Sequence, residues 1–348
     1  MAHRFCTPDE ITDPAALSAA LGPVRTVERE PLAPSCFTAA RFERLRVTLA
    51  SGEQRRLVTK RFRPSQDWIA VRSGDPLGRA SILLAEPRLA GIWDAFACPY
   101  VGYANGPDNV ALLMDDLSSS LFPDVREPID ERDEELLLRA LARLHARFWG
   151  SPVLDLPWLA GPEVHAALID ARCAAEPRLC SVLTDPVREN ITRGWDAALR
   201  RLPATLDGLI RAPACELSWL WADLPRTLLH GDAKVGNLAR LPDGQVAAFD
   251  WALVAAGPPT LDLGWYLAVN ATRLARSKEH VLERYRALLD EARGETLSDA
   301  CWQRLVQAGV VIGARMLLWS KALALEADRP GAGAEWAWWI DRLEAVSA

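Results

Sequence analysis

The chain has 348 residues, half of them hydrophobic, enough for two apolar cores of ordinary domain size. Its formal charge of −6 and pI near 5.5 argue against a nucleic-acid or anionic-membrane partner, which needs clustered positive potential, and favour a small cationic one. Seven cysteines, an odd number without any C-x-x-C pair, indicate neither a disulfide framework nor a zinc cage and suit a reducing compartment.

The opening MAHRFCTPDE has no apolar run followed by a small-residue cleavage site, so a cytoplasmic protein is expected. Residues 37–62 carry strand signals. Leu45, Val47 and Leu49 alternate with Arg44, Arg46 and Thr48, and Ser51-Gly52-Glu53 turns the chain into a second run from Arg56 to Phe62, predicting an antiparallel hairpin. Val110 to Met114, after the turn-rich Asn105-Gly106-Pro107-Asp108, predicts a further strand that ends at Asp115-Asp116.

From about residue 130 the period becomes helical. Leu137, Leu141, Leu144 and Phe148 share a face; acidic residues open the segment, Arg139, Arg143 and Arg147 follow, and Gly150 with Pro152 stops it. Further helices are expected at 187–201, 278–292, 298–326 and 335–346. The most apolar stretch, Leu305 to Leu325, is interrupted by Gln307, Arg315 and Lys321 and reads as a core helix whose charge-free segments are too short for a bilayer. A strand-rich part thus meets a helical part near residue 115.

The segment with the most chemistry runs from 228 to 267. Asp232 is followed five positions later by Asn237. Asp250 comes after a short hairpin built from Leu238 to Leu241, the turn Pro242-Asp243-Gly244, and Val246 to Phe249. A hairpin returns its ends to one place, so Asn237 and Asp250 are expected side by side as oxygen ligands. Magnesium is held in this way when substrate phosphates and water complete its octahedron. Asp232, on the loop before the hairpin, is the candidate base for an acceptor hydroxyl.

The ordered set H-G-D-x-x-x-x-N, hairpin and second aspartate resembles the aminoglycoside phosphotransferase family, which includes choline, homoserine and fructosamine kinases. The resemblance implies an α+β, bilobal protein-kinase-like fold. Its N-terminal nucleotide-binding lobe, a small antiparallel sheet, would span 1–114, and a mainly helical catalytic and substrate-binding lobe 115–348. It further implies Asp232 as catalytic base, Asn237 and Asp250 as magnesium ligands, and ATP as phosphate donor, with His230 bracing the loop. Leu144-His145-Ala146 with Phe148-Trp149, and Gly257-Pro258-Pro259 with Asp262-Leu263, are similar to family segments on either side.

Lys60, in Leu57 to Phe62, resembles the lysine that holds the α- and β-phosphates. Leu112 to Leu117 resembles the hinge, where Met114, Asp115 and Leu117 would meet the adenine edge. Glu86 is the candidate partner of Lys60, although Pro87 would begin or kink a helix there; another alignment puts Ala80 at that site and leaves Lys60 unpaired. Pro31 to Arg41, where the phosphate-covering loop should lie, contains no glycine, which weakens close backbone approach to phosphates.

Single residues have plainer readings beside these. His145 is expected as a packing histidine and Asp262 as a brace of the catalytic loop through backbone hydrogen bonds, while Lys234 is a candidate contact to the γ-phosphate. The 14 tryptophans invite an aromatic cage for a quaternary ammonium group, but core packing of terminal helices is favoured for Trp336, Trp338 and Trp339. Asp170, Glu291 and Asp341 could meet an amine or be solvated. The expected function is therefore an ATP- and magnesium-dependent kinase of a small-molecule hydroxyl of aminoglycoside, amino-alcohol or sugar type. The alternative is a catalytically weak kinase-like nucleotide-binding or regulatory protein.

Overall fold

A computed structural model describes residues 2–33, 39–123, 126–173 and 182–347. The chain divides into two compact units: Met1–Leu121 with Ala239–Ala252, and Phe122–Leu238 with Leu253–Ala348. This differs from a single cut at 115, because most of the hairpin after Asn237 belongs with the strand-rich unit.

The first unit holds β1 (His3–Arg4), α1 (Pro14–Leu21), β2 (Val24–Leu32), β3 (Arg41–Leu49), β4 (Gln54–Phe62), α2 (Trp68–Ser73), α3 (Arg79–Ala85), β5 (Tyr100–Gly106) and β6 (Asn109–Asp115). The strands form a six-stranded sheet in the order β1-β5-β6-β4-β3-β2. The predicted hairpin is β3 with β4, Leu45 opposite Leu57. One face is apolar: Leu45, Val47, Leu49 and Leu57 pack with Phe5, Ile11, Leu17, Ala104, Ala111 and Leu113. A fully buried leucine is worth about 2 kcal/mol.

Strand β2 was not foreseen. It sits at the sheet edge with its charges outward, Arg29 pairing with Glu43 and Arg46 with Glu28 across to β3. Such charges protect an edge and erase the alternation that marks a strand. The expected glycine-free loop, Pro31 to Arg41, lies at 34–38 outside the described residues, and its two ends belong to β2 and β3.

In the second unit follow α4 (Glu131–Arg147), α5 (Pro162–Leu168), α6 (Asp185–Arg201), α7 (Asp207–Ile210) and β7 (Thr227–Leu229). The strands β8 (Leu238–Arg240) and β9 (Val246–Ala248) make the hairpin, and β10 (Ala255–Gly257), back in the second unit, pairs antiparallel with β7. The chain ends in α8 (Thr260–Val269), α9 (Lys278–Arg293), α10 (Asp299–Glu326) and α11 (Ala332–Ser347). Helix α4 starts where the acidic run implied: Asp130 caps it by accepting from the Arg132 N–H, and Leu137, Leu138, Leu141 and Leu144 are buried.

Helix α10 is the spine of this unit. By length and apolarity alone it could cross a bilayer, contrary to the expectation of segments too short to do so, but 67% of its most apolar window is buried against the rest of the protein. Arg315 at its centre is fully buried and donates to the carbonyls of Ala166, Leu209, Ile210 and Ala212 and to Asp170, so its charge is satisfied internally. Asp170 is accordingly a structural carboxylate, unlike the amine contact considered for it.

Candidate active site

The loop carrying Asp232 is fixed from α8. Helix α8 crosses α10 so closely that a Cβ on Gly264 would lie 1.9 Å from the Gly309 carbonyl oxygen and one on Gly313 2.5 Å from that of Gly264. Only glycine permits such backbone contact. The crossing sets the height of three side chains in this region of the chain: Asp262, Trp265 and Asn270.

Asp262 is buried and accepts from two consecutive backbone donors, the His230 N–H and the Gly231 N–H, both at 2.7 Å, and faces His145 Nε2 at 3.2 Å. Burial works against its charge. The hydrogen bond and charge of His145, the charge of His230 and the Gly231 N–H outweigh that and hold the carboxyl below its ordinary range. His145 is itself fully buried, its Nδ1 against the Tyr285 hydroxyl, so it is the packing histidine expected. Gly231 sits at φ +82°, and a Cβ there would meet the Leu253 carbonyl oxygen at 1.9 Å. The middle residue of His-Gly-Asp is therefore set by space as well as by backbone angle. Asn270 completes the frame by accepting from the Val235 N–H at 3.0 Å.

On this frame the Asp232 carboxylate is held from three sides. Trp265 Nε1–H donates to Oδ1 at 2.8 Å, while Lys234 Nζ and Asn237 Nδ2 donate to Oδ2, each at 2.8 Å. The Asp232 N–H donates to His230 Nδ1 at 3.2 Å, the bracing assigned to that histidine. Asn237 also donates to the Asp232 carbonyl at 3.0 Å. Its NH2 group is thus spent on Asp232, leaving Oδ1 as the atom able to ligate a cation.

In the first unit, Lys60 Nζ donates to Asp250 Oδ1 at 2.7 Å and lies 6.0 and 5.7 Å from the ring centres of Phe42 and Phe62. Asp250 stands at φ +64°, a left-handed conformation uncommon outside glycine and informative where it occurs. Its N–H donates to the Tyr100 hydroxyl at 3.1 Å, and burial, then the Asp250 charge, push that phenol well above its usual range. Trp251, fully buried, wedges the following turn against Trp93 and Phe96.

Glu86 corrects an expectation. Its carboxylate caps the 3-10 helix Pro87–Asp94 through the Arg88 N–H and takes the Arg88 guanidinium at 2.7 and 2.8 Å, whereas Lys60 meets Asp250. Pro87, at the first helical position, was the signal for a cap. Ala80, the other alignment, is buried in α3. At the expected hinge, Met114 pairs with Val58 and Tyr100, the Asp115 N–H donates to Pro99, and the Asp116 N–H to Arg56. Among the described residues the Leu117 N–H has no acceptor. The terminal tryptophans pack: Trp339 is buried and donates to Glu335, and Lys278 and Arg342 lie 5.0 and 5.5 Å from the Trp338 ring centre, so the chain's own cations take the place of an external one.

Among the described residues no group of three His, Cys, Asp or Glu side chains stands ready for a metal. Taken singly, the Asn237 carboxamide oxygen and the Asp250 carboxylate are oxygen donors of the kind that magnesium takes beside phosphates and water. Asn237 belongs to the second unit and Asp250 to the first.

A strand-rich unit with a half-buried lysine–aspartate pair, and a helical unit with a braced His-Gly-Asp loop, define an α+β protein. The chain belongs to the phosphotransferase enzyme family, whose model matches residues 42–297. It is similar to an aminoglycoside phosphotransferase from Alicyclobacillus acidocaldarius, at 15% identity and TM-score 0.45 over 91% of this chain and 90% of that one. It is also similar to the choline kinase LicA from Streptococcus pneumoniae, at 12% identity and TM-score 0.47 over 95% of this chain and 97% of that one. A choline/ethanolamine kinase family protein from Mesorhizobium loti matches at 14% identity and TM-score 0.45, over 97% and 92% of the two chains.

Proposed function

We propose that this phosphotransferase moves the γ-phosphate of ATP to a hydroxyl of a small molecule, with magnesium, and that the acceptor is an aminoglycoside, an amino alcohol or a sugar. The observation that carries the reading is the Asp232 carboxylate, braced on the His-Gly-Asp loop and bonded to Asn237 and Lys234.

Asp232 accepts a hydrogen bond from the acceptor hydroxyl. The hydroxyl oxygen bonds to the γ-phosphorus as the bond from that phosphorus to the bridging oxygen of ADP breaks, and the proton passes to Asp232. Asn237 and Asp250 would be the ligands for magnesium, which would supply charge neutralisation at the transferring group. Lys60 is assigned to the α- and β-phosphates, Lys234 to the γ-phosphate, and Asp115 and Leu117 of the hinge, beside Met114, to the adenine edge. Net negative charge favours a cationic acceptor and disfavours nucleic acid or an anionic membrane. A cytoplasmic location suits these substrates.

A second reading, nucleotide binding without efficient turnover, is favoured by one observation: in the structure Asp232 and Asp250 are both engaged by the chain's own cations. Two measurements separate the readings. Magnesium-dependent thermal stabilisation by millimolar ATP is expected under both. ADP release that rises with one member of a panel of amino alcohols, aminoglycosides, sugars and nucleosides is expected under the first alone. ATP with magnesium that leaves the melting temperature unmoved would sink both.

A further inference from the structure

Three donors hold the Asp232 carboxylate, and they differ in kind. Lys234 is a cation on a flexible stem, its side chain 37% exposed. Asn237 carries the oxygen assigned above to magnesium. The task of Lys234 at the γ-phosphate draws it from Asp232 Oδ2 when nucleotide binds, and the Asn237 carboxamide is shared with a cation on its Oδ1. Trp265 has no such task. An indole donates one hydrogen bond, accepts none, does not titrate and ligates no metal. The residue is 7% exposed and sits on α8 one turn after Asp262, in the helix locked backbone-to-backbone onto α10 at Gly264 and Gly309. Its Nε1–H reaches Asp232 Oδ1 at 2.8 Å.

We propose that Trp265 is a positioning residue for the transfer reaction, holding Oδ1 of Asp232 so that Oδ2 is the oxygen presented to the acceptor hydroxyl. The physical need is plain. The carboxylate torsion of an aspartate is broad and two-fold, so a carboxylate without an anchor on one oxygen rotates among orientations that do not face the hydroxyl. An anchor that moved with nucleotide would release the carboxylate at the moment of transfer. A neutral donor on a rigid helix does not. The same helix also holds the loop backbone through Asp262, so one rigid body sets both the position and the rotation of the base.

The inference rests on Asp232 as base, and the test separates the two. In full-length protein labelled with 15N at its tryptophan indoles, the Trp265 signal is the one lost in Trp265→Phe. It is expected to move upfield in Asp232→Asn, because an amide accepts more weakly than a carboxylate. With MgATP alone, slow hydrolysis by water serves as the probe of transfer. Trp265→Phe keeps an aromatic ring at the site and is expected to lower kcat about tenfold with the KM for ATP unchanged, the pattern of a group acting in the transition state. A signal indifferent to Asp232→Asn, or wild-type kcat in a folded Trp265→Phe, overturns the proposal. Should Trp265→Phe fail to fold, the Asp232→Asn spectrum, recorded with Trp265 in place and its signal identified by residue-specific labelling, still decides. Wild-type hydrolysis by Asp232→Asn together with a moved signal would overturn the reading of Asp232 as base, and the positioning role with it.

Discussion

The loop at Asp232 and the Lys60–Asp250 pair are built in opposite ways. Asp232 accepts from Trp265, Lys234 and Asn237 and donates to His230, and the loop beneath it is tied by Asp262 and Asn270 to one helix. Asp250 relies on a left-handed backbone, one tyrosine hydroxyl and one lysine. The first arrangement makes position part of folding, so disturbing it should cost stability. The second is a single, half-buried ion pair, so under the proposed role of Lys60 disturbing it should cost activity.

The sharpest way to break that contrast is Asp262→Asn. An amide turns an NH2 group toward at least one buried donor, and a loss of about 3 kcal/mol is expected in urea unfolding at neutral pH. The sign with pH follows from the depressed folded pKa of Asp262. Its contribution is present above the ordinary carboxylate range, near about 4, and is lost as pH falls through the folded value. The variant's stability should therefore fall less steeply than wild type across that acid window.

Gly231→Ala is next, with about 1–3 kcal/mol lost to the left-handed backbone alone and more if the Leu253 carbonyl must move. Thermal unfolding measures it. Lys60→Met should do the reverse: stability within about 1 kcal/mol of wild type, but a KM for ATP at least about tenfold higher from the loss of a charge-assisted phosphate contact. A large stability loss there would erase the distinction between the two regions.

The smallest effect should be favourable. Glu134 is buried, and that burial raises its pKa despite the Ala275 N–H on Oε1; its Oε2 has no partner. A raised folded value means that stability is greatest below the ordinary carboxylate range and is lost as pH rises through the folded pKa. Glu134→Gln should thus gain up to about 1 kcal/mol at pH 8, and the gain should vanish in acid.

Much of this was legible in the sequence because it was local. The helices expected at 187–201, 278–292, 298–326 and 335–346 are there with ends shifted by up to three residues, and the hairpins follow from alternation and turn residues. His-Gly-Asp, Asn237 and Asp250 stand at diagnostic spacing. What escaped was tertiary. Strand β2 carries charges where alternation was sought, and β5 is Gly- and Tyr-rich, so neither shows the pattern of a half-buried strand. The partner of Lys60 lies 190 residues away, a distance no local spacing reports, while Glu86 had the plainer role that Pro87 announced. Trp265 was visible as part of an Asp-Leu-x-Trp run, but its hydrogen bond to Asp232 depends on the glycine crossing of two helices.

The most direct measurement is steady-state ADP release by Asp232→Ala with saturating MgATP and the acceptor that gives the highest rate, alongside its unfolding midpoint. A fall in kcat of at least about 10²-fold, in a variant that still unfolds in one cooperative transition at a lowered midpoint, is the predicted result. Near wild-type turnover in a folded variant would contradict it.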